Sequence, residues 1–339
     1  YHRCMEGGLK SRLTTLLPAI KMDYDVLKQF LKEPVIPMAC KFGDYLPVLL
    51  DVRQVSQIVV PAELPDAAVL GATIDNRFRS TIDGTGTSQE SLVQQLKRKA
   101  SRLGRKDKAK ETRMKSDLLR ELYTEVVENS VSYKVYMEWI EKLGLEKKIL
   151  ESRPTIREVY IFKDISLAVE LEELQDMRKD IRWDFLRAHD RSVPPTFWAF
   201  PEELSPAFLR KLGDLLGYPA CCIDRYIFDR SSGILSPEVR AANQIIHAES
   251  PEEVDKFAYF TKDFFPCQPD CERAAEIGRN MYERVKRLDA DLGELYLEYL
   301  SDNVNLIRQY PEIIEEKARR LEREREGFQR QGDDVEDER

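Results

Sequence analysis

The chain has 339 residues, 42% of them hydrophobic and 34% charged, with a formal net charge of −8. No run approaches the roughly 18 apolar residues of a membrane span, and the acidic balance argues against a surface that is basic throughout. The segment YHRCMEGGLKSRL lacks the apolar core of a secretion signal, so the expected location is cytoplasmic.

In chain order, YDVLKQFLKE (24–33) carries apolar residues three and four apart and predicts a helix. LPVLLDV (46–52), SQIVVPA (56–62) and AAVLGATI (67–74) are short apolar runs set off by Pro and Asp. They read as buried strands or packed segments, with helix open for the last. Between Lys97 and Lys115 stand ten basic residues and two acidic ones, a local balance of +8. One reading is a mobile linker over 81–115. The sharper one is a basic arm for the phosphates of nucleic acid or a ribosome, although no aromatics are interleaved for base stacking. LLRELYTEVVENS and YKVYMEWIEKLGL predict helices over 116–150, IREVYIFKDI (156–165) a strand, and LAVELEELQDMRKDIRWDFLRAHD a long helix. TFWAF (196–200) reads as an aromatic plug over a core rather than a pocket lining. Beyond Glu272 the pattern is helical, with Pro311 placed to open a final helix before an acidic tail.

These elements predict an α+β, predominantly helical fold. A small mixed domain (1–80), a flexible basic linker (81–115), a helical domain (116–325) and a disordered tail (326–339) follow one another. Nucleotide-binding, zinc-protease and nucleophile-elbow signatures are absent, and the chain has only three histidines. His189 reads as a surface cap, and His247, between the thiol pairs described next, as a minor candidate ligand.

Chemistry concentrates in the cysteines. GYPACCIDRYIF places Cys221 and Cys222 side by side, and PCQPDCERAAEIG adds Cys267 and Cys271 after a gap of 44 residues. Gly217 ends one helical pattern, and Pro219 and Pro269 stand where the next helices begin, so both pairs fall at helix N-termini. There, unpaired N–H groups favour thiolate over thiol. The CC-x44-C-x3-C spacing matches neither a zinc ribbon nor a ferredoxin motif. Neighbouring residues on a helix also point about 100° apart, which sets three thiols plus Cys40, His247 or an open position beside a four-thiol site. The chemical readings are a zinc or iron–sulfur site, a disulfide or thiol redox pair, or inert buried cysteines. The rival function is a non-enzymatic interaction protein using the basic arm.

Gly217, Tyr218, Pro219, Cys221, Cys222, Pro266, Cys267 and Cys271 together resemble the paired motifs, GYPxCC and PCxxxC, of an uncharacterised archaeal and bacterial family of unknown function. The resemblance covers roughly 200–290. It implies that these cysteines belong together and implies no activity.

Overall fold

The computed structural model describes residues 24–83, 105–188, 200–232, 237–248, 250, 253–262 and 264–336. The fold is α+β and predominantly helical, built around one small antiparallel sheet. Helix α1 (Tyr24–Lys32) leads into α2 (Met38–Cys40), a π-turn over Lys41–Tyr45 and α3 (Leu46–Leu49). Strand β1 (Val55–Val60), α4 (Ala67–Asp83), α5 (Arg105–Tyr123) and α6 (Val131–Lys142) follow. The hairpin β2 (Glu146–Arg153) and β3 (Ile156–Phe162) precedes the long α7 (Leu167–Ala188). The remainder is helical: α8 (Pro206–Leu215), α9 (Ala220–Ser231), α10 (Pro237–Ile246), α11 (Glu272–Leu288) and α12 (Ala290–Glu336).

The strand order is β1-β3-β2, so the strand from the N-terminal segment pairs with the second strand of the hairpin. Both faces of β3 are covered. Val159 and Ile161 enter a core with Phe30, Tyr45, Trp139 and Tyr296, while Tyr160 and Phe162 enter another with Leu171, Leu174 and Phe208. A strand buried on both sides needs no polar face, which explains the continuous apolar run VYIF. A third core joins α10, α11 and α12 around Tyr259, Phe260 and Phe264.

Residues on either side of the expected linker therefore share one sheet and one core, and the described residues of the 1–80 segment pack into that shared core. The second half of the basic stretch is the start of α5; the first half, like His189 and most of TFWAF, lies outside the described residues. Several expectations need correction. LPVLL forms the end of a helical turn rather than a strand, with Pro47 early in α3 where its missing N–H costs nothing. The charged EKKILESR is β2, because an edge strand leaves part of its side chains to solvent. Pro311 lies inside α12, where its ring removes only the bond to the Ile307 carbonyl and the helix passes through. The helix runs on to Glu336, into the segment expected to be disordered; its Glu- and Arg-rich composition favours helix. Among the described residues no helix is long and apolar enough to cross a membrane.

Candidate metal centre

Three local devices bring the cysteines together. Helix α8 ends in a Schellman turn: Gly217, at φ +71°, donates to the Asp214 carbonyl, and Tyr218 donates to that of Gly213. The left-handed conformation required there favours glycine. The chain then enters α9 with Pro219 as its N-cap, one residue earlier than the sequence reading placed it, so Cys221 and Cys222 are second and third in the helix. Pro269 opens no helix. It sits in a turn closed by the Cys271 N–H donating to Gln268 O (3.1 Å), and Cys271 is itself the N-cap of α11.

The third device is close packing. A Cβ on Gly278 would stand 2.2 Å from the Phe257 carbonyl oxygen, so α11 lies against the 3-10 turn Lys256–Tyr259 with no side chain between. Arg240 on α10 braces the loop before α11. It donates to Pro266 O (2.6 Å) and pairs with the fully buried Asp229 of α9 (3.0 Å). Gln244 adds a bond to Cys267 O.

The four sulfurs all lie within 4.8 Å of one another. Cys221 and Cys222 are separated by 3.9 Å, Cys221 and Cys271 by 3.8 Å, and Cys222 and Cys271 by 3.7 Å. The Cys267 N–H points at Cys222 Sγ across 3.4 Å. The angular objection to adjacent cysteines fails for a geometric reason. Cα–Cβ bonds lean toward a helix N-terminus, so side chains of the first turn can reach into the space ahead of the helix, where the Cys221 and Cys222 sulfurs meet 3.9 Å apart. All the described cysteines are free, and no sulfur pair approaches the 2.05 Å or so of a disulfide.

The alternative fourth ligands lie elsewhere. His247 is exposed, with its Nδ1 beside the Asn243 carbonyl. Cys40 belongs to a separate buried group in which Lys262 reaches Cys40 Sγ (3.3 Å), Asp44 (3.1 Å) and Glu63. Cys40, Asp44 and Glu63 are close enough to one another to ligate an ion, but the Lys262 ammonium already supplies their cation. Burial alone would lower the Lys262 pKa; Asp44 and then Cys40 outweigh it and hold the amine protonated.

Burial pushes the Cys222 thiol well above the ordinary range, and it pushes Cys267 up to about 12. Cys271 goes the other way. Burial opposes its ionisation, but the Ala274 amide at the open end of α11 and the three neighbouring thiols lower its pKa. Within the cluster, Cys271 is therefore the thiol whose surroundings most favour ionisation, and an ion at the centre would favour the thiolate form of Cys222 and Cys267 as well.

A family model described as "Protein of unknown function (DUF483)" matches residues 204–294. That stretch holds all four cysteines. No curated protein and no solved structure matches the chain.

The structure also contains a feature that the sequence reading passed over. A cavity of about 410 Å³ lies on the Tyr160 face of the sheet, between Gln57, Val59 and Glu158 on one side and α8, α9, Thr261, Lys262, Phe264 and Phe265 on the other. Phe200, the last residue of TFWAF, lines it, as does Cys222. At one end Arg178 makes a two-pronged pair with Glu158 (2.9 and 2.7 Å), while Arg182 pairs with Glu202. At the other end stand Arg53, Lys262, Asp44 and Glu63. The available signal was charge interrupting apolar runs: Asp44 in KFGDYLPVLL and Arg53 in LLDVRQVSQIVV.

Proposed function

We propose that the helical module around 204–294 binds one zinc ion through Cys221, Cys222, Cys267 and Cys271, and that the ion is structural. The observation that carries this reading is the set of sulfur separations among Cys221, Cys222 and Cys271, 3.7 to 3.9 Å, with the Cys267 sulfur within 4.8 Å of each. Four thiolates about 2.3 Å from a tetrahedral zinc stand roughly 3.8 Å apart. An iron–sulfur cluster would interpose iron and sulfide between its ligands and hold them wider than a single ion does, so the spacing favours one ion. A closed set of four protein ligands leaves no position for water or substrate, which is the pattern of a structural rather than catalytic zinc. The ion would tie the start of α9 to the start of α11, two points that no backbone pairing joins.

The test is metal analysis of the purified full chain, with cobalt(II) replacement read by visible absorption. One zinc per chain is expected, together with the intense bands of tetrahedral thiolate-bound cobalt. Cys267→Ser and Cys271→Ser should each lose both signals. A metal-free protein with four reactive thiols and no change in melting temperature on zinc addition would overturn the reading.

A further inference from the structure

We propose that the cavity between the sheet and α8 is a binding site for a small aromatic monocarboxylate, held through its carboxylate by Arg53. The inference goes beyond the zinc reading and does not depend on it.

Arg53 is 5% exposed and lines the cavity. Its Nε donates to the Leu216 carbonyl (2.8 Å), its Nη1 donates to the Gly43 carbonyl (3.1 Å), and its guanidinium carbon lies 5.2 Å from the centre of the Tyr218 ring. Two carbonyls and an aromatic face solvate the cation without neutralising it. Among the described residues no carboxylate pairs with it; the nearest acidic groups of that end, Asp44 and Glu63, are held by Lys262. A charge taken out of water is costly unless an opposite charge meets it. A guanidinium has five N–H donors, and two are used here. Arg53 lines the cavity, and its Nη groups keep donors in the planar fork that can meet a carboxylate with two parallel bonds.

The rest of the cavity narrows the ligand. Its volume of about 410 Å³ falls within the range of small-molecule sites. Its apolar lining includes Tyr218, Leu216 and Phe264, with Phe208 at the Arg178 end, so the body of the ligand should be apolar and flat. Among the described residues the far end offers no second uncommitted cation, because Arg178 is engaged by Glu158 and Glu202. Arg53 as a single uncommitted cation among the described lining residues matches one negative charge, which favours a carboxylate over a phosphate dianion.

The experiment is isothermal titration calorimetry of the full chain with benzoate and indole-3-acetate. Their neutral counterparts, benzamide and indole-3-acetamide, and the dianion phenyl phosphate serve as comparisons. At least one acid should bind one to one, its amide at least tenfold more weakly, and phenyl phosphate more weakly than benzoate. Arg53→Lys, which keeps the charge and loses the fork, should weaken the acid about tenfold; Arg53→Gln should abolish binding. Because Arg53 also braces Leu216 and Gly43, the comparison of acid with amide on the unaltered protein decides the matter if either variant fails to fold. Failure of both acids to bind, amides that bind as tightly as the acids, or tighter binding of phenyl phosphate would each overturn the proposal. None of these outcomes bears on zinc content.

Discussion

Replacing Gly278 by alanine tests how closely α11 must approach its neighbour. The added Cβ would stand 2.2 Å from the Phe257 carbonyl oxygen, 2.9 Å from its carbonyl carbon and 3.1 Å from its Cα. All three are backbone atoms, so no rotamer change relieves the overlap. Non-bonded carbon contacts settle near 3.5 Å, so the helix must withdraw by about 1 Å. Overpacking of this kind costs about 3 kcal/mol, the upper end of the usual range, because the obstacle is main chain. Gly71 in α4 is the control: a Cβ there meets nothing within 4 Å. Gly71→Ala should stabilise the protein by about 0.5–1 kcal/mol through helix propensity and reduced unfolded-state freedom. Urea unfolding followed by circular dichroism reads both, and the two variants should differ by about 4 kcal/mol. Since α11 begins at Cys271, Gly278→Ala should also weaken zinc retention against a chelator. A Gly278→Ala protein within about 0.5 kcal/mol of the parent would refute the close approach.

Three further outcomes are expected. Because Cys222 and Cys267 are held protonated in the metal-free protein, zinc binding must release at least their two protons; affinity should rise with pH by about tenfold per proton per unit, and proton release measured in weak buffer checks the count. Arg178→Met strands the buried Glu158, while Glu202 keeps Arg182, and should cost about 3–5 kcal/mol in urea unfolding; a loss below about 1 kcal/mol would remove that pair from the account. Cleavage at a protease site inserted between residues 84 and 104 should leave two pieces that elute together in native chromatography, since β1 pairs with β3 across the cut; separation without denaturant would contradict the shared core.

The strongest local signals in the chain were legible. The amphipathic spacing of α1, the β-branched run of β3 and the glycine that ends α8 each declare themselves within a few residues. The convergence of the four cysteines was legible as well, because both pairs follow proline-marked turns ahead of helical patterns. What escaped depended on partners distant in sequence. Glu146–Arg153 becomes a strand only because Ile156–Phe162 is beside it, and LPVLL becomes helix because β1, α11 and α12 surround it. The cavity was legible only as isolated charges within apolar runs, because Arg53 and Lys262 are 209 positions apart and single charges carry no periodicity.

The antiparallel pairing of Val55 with Phe162 and the packing of Phe42 against Tyr296 and Tyr299 also constrain how the protein comes into being. The N-terminal third leaves the ribosome with its apolar segments already made and their partners not yet synthesised. Phe42 waits more than 250 residues for Tyr296, which at about 5–20 residues per second is a delay of tens of seconds. Contacts this far apart in sequence form slowly, and the waiting surface is exposed to association with other chains throughout. Chains that end before α12 should accordingly be aggregation-prone and depend on chaperones, although they contain every residue of the sheet and all four cysteines.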